Sequence, residues 1–273
     1  MTSSKLVKSN APLDSIDIYK SDSLDNSYQE FVAEETPVAM TFNGISHAVM
    51  MITPQDLEDF AYGFSVSEGL VKNIDDIFSI EKNCVDQGIE LNIEISSEAF
   101  MNLKDRRKNL AGRTGCGICG SESLSQIFIE AKNKISNNTL FDLNIIQKAI
   151  EKFGDNQIIK NKTGSTHACS LFDGQGDILF TREDVGRHNA LDKLIGLALK
   201  TKINLEDTFL VISSRASFEM VQKASFIGCQ LIVAISAPTA LAIRLANNMN
   251  ITLVGFAKNK DFNIYTHKNR LKV

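Results

Sequence analysis

Phe209-Leu210-Val211-Ile212-Ser213-Ser214-Arg215 opens the segment whose reading decides the fold. Its four apolar residues have the length of a short buried strand, and the polar residues after them read as the loop that leaves it. The unit then repeats: a helical pattern from Ser217 to about Gly228, the run Leu231-Ile232-Val233-Ala234-Ile235, a second helix opening at Pro238, and Ile251-Thr252-Leu253-Val254. Short apolar strands alternating with helices predict a βαβαβ unit on a parallel sheet, and so an α/β fold. In open sheets of this kind ligands collect beyond the carboxyl ends of the strands. Those ends carry Ser213-Ser214-Arg215, Ser236-Ala237-Pro238 and Gly255-Phe256-Ala257-Lys258. Two of the three run into helix N-termini, which attract anions. The pattern suggests a phosphate-bearing ligand on that edge, with ordinary caps and turns as the competing reading.

Upstream of this unit, His167 follows Thr163-Gly164-Ser165-Thr166, and His188 lies in Asp184-Val185-Gly186-Arg187-His188-Asn189. Both sit in polar clusters at element boundaries. Each reads either as a satisfied structural histidine or as a contact to a phosphate or guanine edge. Phe141 to Phe153 has helical spacing, after a polar break at Asn133 to Asn138.

The first third of the chain predicts a smaller α/β unit. A hairpin turns at Asn43-Gly44. A helix follows, with Thr53 as its cap, Pro54 at its first position, Leu57, Phe60, Ala61 and Phe64 on one face, and Gly69 as its stop. Strands are expected at Ile77 to Ile80 and Ile89 to Ile95, the latter alternating Ile89, Leu91, Ile93 and Ile95 on one face. Residues 1 to about 26 are rich in Ser, Asp, Lys and Asn and read as a loose arm able to add an edge strand. Lys104-Asp105-Arg106-Arg107-Lys108 reads as a solvated basic linker or as a docking patch for an acidic partner. The resulting plan is an N-terminal α/β unit with its arm over residues 1–105, a basic linker, cysteine loop and capped helix over 106–140, and a second α/β domain over 141–273.

Chemistry concentrates in Arg113-Thr114-Gly115-Cys116-Gly117-Ile118-Cys119-Gly120, which holds two of the five cysteines. Leu124, Ile127, Phe128, Ala131 and Ile135 then follow at helical spacing, and Ser123 with Gln126 suits a capping box. A pair of thiols at or just before a helix N-terminus is biased toward thiolate. Three chemistries fit: structural zinc, dithiol redox exchange, and carriage of sulfur as a persulfide. Zinc ordinarily draws on a second close pair, whereas Cys84, Cys169 and Cys229 are isolated in sequence.

Composition bounds the rest. With 43% hydrophobic and 23% charged residues the chain is an ordinary globular one, and a net charge of -4 draws it to neither nucleic acid nor anionic lipid. Met1-Thr2-Ser3-Ser4-Lys5 lacks the apolar core of a signal peptide, and no run approaches the ~20 apolar residues of a membrane span. The expected compartment is the cytoplasm, in keeping with an odd cysteine count.

Taken in order, several motifs resemble the formate dehydrogenase accessory sulfurtransferases, the FdhD/NarQ family, from about Glu35 to Thr266. They are Asn43-Gly44, Thr53-Pro54 with Asp56-Leu57-Glu58-Asp59, Ser67-Glu68-Gly69, the Arg113 to Gly120 loop, Asp184 to Ala190, Ser217 with Glu219-Met220 and Lys223, Ser236 to Thr239, and Gly255-Phe256. The resemblance implies that the C-terminal domain, 141–273, is a cytidine-deaminase-like three-layer, nucleotide-binding one. It implies sulfur transfer from a cysteine desulfurase to the molybdenum cofactor of formate dehydrogenase, with that cofactor bound as bis-molybdopterin guanine dinucleotide and GDP as a partial mimic. It also implies a homodimer and no structural metal. Carried over residue by residue, Cys116 matches the persulfide-bearing cysteine, with Cys119 secondary, and Phe256, Ala257, Lys258, Asn259, Lys260 and Asp261 match the cofactor-binding segment. The helix dipole alone favours Cys119 as the more acidic thiol. Deamination is not implied, because no His is followed two residues later by Glu and no Pro precedes the cysteine pair. The alternative from a different class is a non-catalytic nucleotide- or cofactor-binding chaperone whose C-x-x-C loop holds zinc.

Overall fold

A computed structural model describes residues 11–108, 139–258 and 261–272. Strands β1 (Leu13–Lys20) and β2 (Ser23–Ala33) form a separate antiparallel hairpin. From residue 11 on, the described part of the N-terminal arm is thus paired within its own hairpin and joins no other sheet. Next come β3 (Thr36–Phe42), β4 (Ile45–Ile52), α1 (Leu57–Ser67), β5 (Ile77–Val85), β6 (Gly88–Ile95) and α2 (Ser97–Lys108). The four strands form one sheet in the order β4-β3-β6-β5. The expected hairpin turns at Asn43 and Gly44, both with positive φ, as a tight turn between twisted strands requires. Val38, Met40 and Phe42 alternate inward on β3 and meet Leu91 and Ile93 of β6 and Phe60 and Phe64 of α1.

Two expectations are corrected here. The first helix begins at Leu57 rather than at Pro54. Thr53 is engaged elsewhere: its backbone N–H donates to Asp184 Oδ2 at 3.0 Å, and its hydroxyl accepts from Val185 N–H at 3.1 Å. A residue spent on a tertiary contact cannot cap. The basic run 104–108 is the last stretch of α2 instead of a linker, because Ala99 and Leu103, four apart, anchor that helix in the core.

The rest comprises β7 (Phe141–Asp142), α3 (Leu143–Asp155), α4 (Ile158–Thr163), β8 (His167–Phe172), β9 (Ile178–Asp184), α5 (Arg187–Lys200), β10 (Phe209–Ile212), α6 (Phe218–Phe226), β11 (Leu231–Ala234), α7 (Ala240–Met249), β12 (Thr252–Lys258), β13 (Asp261–Ile264) and β14 (Leu271–Lys272). Phe141, expected in a helix, belongs to a short strand, and Asp142 caps α3 by accepting from Asn144 N–H at 2.8 Å. The predicted βαβαβ unit is present: β10, β11 and β12 are parallel neighbours. Antiparallel strands flank them, giving the order β13-β12-β11-β10-β8-β9.

Alternation on β10 divides two cores. Leu210 and Ile212 face α5, α6 and α7, while Phe209 and Val211 face Ile146, Ala149, Ile150 and Phe153 of α3. The sheet lies between two helical layers.

The N-terminal unit is joined to this sandwich where α1 crosses α5. A Cβ added to Gly63 would lie 1.8 Å from the Asp192 carbonyl oxygen, and one added to Gly196 would lie 1.8 Å from that of Asp59. The helix backbones therefore touch, which only glycine permits. Around the crossing, Asp59 pairs with Arg182 and with Lys200, each at 2.7 Å. Leu199 packs against both the N-terminal core and the core under α5 to α7.

Candidate functional site

The carboxyl ends of β10, β11 and β12 form one edge, held together by backbone contacts. Ala216 bridges Pro238, Thr239 N–H donates to the Ala216 carbonyl at 3.0 Å, and Phe256 N–H donates to that of Ser236 at 3.1 Å. Gly255 lies so close to Pro238 that an added Cβ would sit 2.7 Å from its Cδ. Three stretches separate in sequence thus become one surface.

Phe256 stands out on it. Its φ is +54°, a conformation that a bulky residue rarely adopts, and its side chain is 52% exposed. The parallel ladder with β11 ends at Val254; beyond it β12 pairs only with β13, through an irregular register up to Lys258 opposite Asp261. The predicted cofactor segment accordingly starts in the second half of β12, which forms an antiparallel hairpin with β13. Phe256, Ala257, Lys258 and Asp261 lie on that hairpin, with Ala257 buried beneath it. Asn259, Lys260, Cys116 and Cys119 lie outside the described residues, as do the helix expected after Ser123 and the polar break that follows it.

Because β8 runs antiparallel to β10, its first residue joins the same edge. His167 Nδ1 lies 3.3 Å from Ser213 Oγ, which also accepts from Ala168 N–H at 2.9 Å. Burial lowers the His167 pKa, and the nearby Arg187, Lys160 and His188 lower it further; Asp184 opposes them, and the net shift favours the neutral ring. Arg187 and His188 form the first turn of α5, and Glu219 that of α6. His188 Nε2 and Glu219 Oε2 are 2.6 Å apart, a close contact lying outside hydrogen-bond alignment. The imidazole against it holds the Glu219 carboxyl below the ordinary glutamate range. Arg187 Nε and Ser217 Oγ are buried and have no hydrogen-bond partner among the described residues. Two helix N-termini with such polar groups offer an anion a cradle.

Beneath the edge lie two buried lysines. Lys193 Nζ donates to the carbonyls of Thr53 at 2.9 Å and Glu183 at 3.3 Å and pairs with Asp184 Oδ2 at 2.7 Å. Lys223 Nζ donates to Asp192, Ser67 and Glu68 at 2.7–2.9 Å. Lys193 and Asp192 carry no motif signal of their own. Asp192 leaves a trace only as spacing: His188, Asp192, Gly196 and Lys200 recur every four residues along one stripe of α5.

The remaining thiols do not extend the site. Burial pushes those of Cys169 and Cys229 up, the latter to about 12, and Cys84 is exposed on β5. Among the described residues no three His, Cys, Asp or Glu side chains are grouped to hold a metal.

The fold defines a mixed α/β class with a polar carboxyl edge on its larger sheet, and comparison with known proteins narrows it. The chain belongs to the FdhD/NarQ family, whose model matches residues 33–272. A sulfur carrier protein FdhD from Cupriavidus necator is 48% identical over 241 residues, covering 88% of this chain and 83% of that one. A protein of the same name from Bordetella parapertussis is 46% identical over 242 residues, covering 89% and 87%. The crystal structure of a formate dehydrogenase accessory protein from Desulfotalea psychrophila superposes with a TM-score of 0.72 at 22% identity, covering 95% of this chain and 98% of that one. That likeness bears out the fold. Among the described residues no helix is long and apolar enough to cross a membrane.

Proposed function

We propose that this chain is a sulfur carrier for formate dehydrogenase, working through a cysteine persulfide. Cys116, as thiolate, attacks the outer sulfur of a persulfide on a cysteine desulfurase. The donor S–S bond breaks, a new one forms on Cys116, and the donor leaves as thiolate, so the exchange is redox-neutral. The acceptor is the molybdenum cofactor in its bis-molybdopterin guanine dinucleotide form, bound as substrate by a homodimer. Sulfur carriage is supported by relatives bearing that name at 46–48% identity. Incubating the protein with a cysteine desulfurase and cysteine is expected to add one sulfur to its intact mass. Equimolar zinc and no added sulfur would instead favour the zinc-holding chaperone.

The nucleotide end of the substrate is assigned to the carboxyl edge, and the observation that carries this is Phe256, an exposed ring held in left-handed backbone. A guanine base stacks on that ring while its phosphates face Lys258 and the first turns of α5 and α6. Stacking on an aromatic ring contributes about 1–3 kcal/mol per base. Replacing Phe256 and Lys258 together by Ala is therefore expected to weaken GDP binding at least about tenfold. An unchanged GDP affinity by calorimetry would move the site elsewhere.

A further inference from the structure

Helices α5 and α6 are linked by two cross-pairs, one helical turn apart. The outer pair is His188–Glu219 at 2.6 Å, on the edge. The inner is Asp192–Lys223 at 2.9 Å, nearly fully buried. On each helix the two members are four residues apart and share a face. The inner pair does not stand alone: Ser67 Oγ donates to Asp192 Oδ1 at 2.7 Å and accepts from Lys223 at 2.8 Å, and Glu68 accepts from Lys223 at 2.7 Å. Ser67 ends α1 and Glu68 is its C-terminal cap. The end of an N-terminal helix is thereby fixed to the cross-pair one turn below the edge.

We propose that the buried Asp192–Lys223 pair, clamped by Ser67 and Glu68, is a positioning element that sets the spacing of the α5 and α6 N-termini and so holds His188 against Glu219 for ligand binding. The ion pair is suited to this because its geometry is over-determined. A lysine bonded to four oxygens of three residues, on two other helices and a cap, has little freedom to shift, and a packed core transmits a displacement rather than absorbing it. Burial works against the Lys223 ammonium, but Asp192 and Glu68 outweigh it and hold its pKa above that of an ordinary lysine. The motifs Ser67-Glu68, Asp184 to Ala190 and Ser217 to Lys223, which share no strand or loop, meet in this one ladder. The ligand clause rests on reading the carboxyl edge as the nucleotide-binding edge; the ladder itself does not.

The test separates the two. The chain has four histidines, so histidine-labelled protein gives four ring systems in a long-range ¹H–¹⁵N spectrum, and His188 is assigned by its loss in His188→Gln. Glu219→Gln supplies the reference shift for a ring without its carboxylate. Asp192→Asn with Lys223→Met removes both inner charges and strands neither. This double variant is expected to keep its fold by circular dichroism, to move the His188 ring nitrogens in the direction seen for Glu219→Gln, and to weaken GDP binding roughly tenfold, the scale of coupling between packed elements. Glu68→Gln, at the more exposed end of the clamp, is expected to give a smaller change of the same sign, and it decides the matter if the double variant does not fold. An unmoved His188 ring in a folded variant overturns the proposal, as does a moved ring with unchanged GDP affinity. If the unaltered protein binds no GDP, the nucleotide reading falls and the ring shift alone decides the ladder.

Discussion

Cys116→Ala is expected to abolish persulfide loading and formate dehydrogenase activation together, while GDP affinity stays near that of the unaltered protein. Only a thiolate accepts sulfane sulfur, so removing the acceptor removes the step, and alanine offers no slower route. The proposed nucleotide edge is built from β8, β10–β12, α5 and α6, and that cysteine belongs to none of these elements. Cys119→Ala is expected to retain part of the loading, since a neighbouring thiol alters the acceptor's acidity or its resolution without being the acceptor. A dithiol redox site behaves differently, because loss of either thiol prevents the disulfide. Alkylation and mass spectrometry of both single variants tell these apart. Full loading of Cys116→Ala at Cys119 would reverse the assignment and restore the ordering suggested by the helix dipole alone.

Gly63→Ala is expected to be, with Gly196→Ala, among the most damaging small substitutions in the framework, at about 3 kcal/mol or more, because the added methyl would meet a backbone carbonyl of α5 at 1.8 Å. A clash with a side-chain tip relaxes by rotation; one with helix backbone forces the helices apart. Separation would loosen Asp59 from Arg182 and Lys200 and disturb the packing around Leu199 at the same time. Against a typical total of 5–15 kcal/mol, that is a large share. Gly154 is the internal control: it lies in α3 with nothing within 4 Å of an added Cβ. Ala there is expected to stabilise by about 0.5–1 kcal/mol through helix propensity. Urea midpoints for the two variants should move in opposite directions. A Gly63→Ala midpoint equal to that of the unaltered protein would mean that the helices do not cross in contact.

Much of the framework was legible because hydrophobic period alone specifies it. The runs at Phe209, Leu231 and Ile251 lie between layers on both faces, so each strand is continuously apolar and the βαβαβ unit stands out. The Asn43-Gly44 turn was legible because its backbone conformation restricts the residues that can occupy it. What was hidden depends on partners far away in the chain. Thr53 has the chemistry of a cap and the position of one, yet Asp184, 131 residues on, claims its backbone N–H. The run at 104–108 is polar enough for a linker; Ala99 and Leu103 make it helix. The edge was anticipated from topology, and His167 and His188 were flagged as polar-cluster histidines. Lys193 had no such signal and Lys223 had only the resemblance, since a lysine is ordinarily read as surface and only three-dimensional neighbours make a buried one intelligible.

The stripe on α5 has a consequence for how this family can vary. His188, Asp192, Gly196 and Lys200 face, in turn, Glu219, the Lys223 clamp, the α1 backbone and Asp59. Inserting or deleting one residue within that helix rotates everything beyond it by about 100°. All contacts past the change lose phase together, and no local repair restores them. Loops between the elements can lengthen or shorten freely by comparison. The stretch from Arg187 to Lys200 is therefore one whose length, as distinct from its composition, the fold fixes tightly.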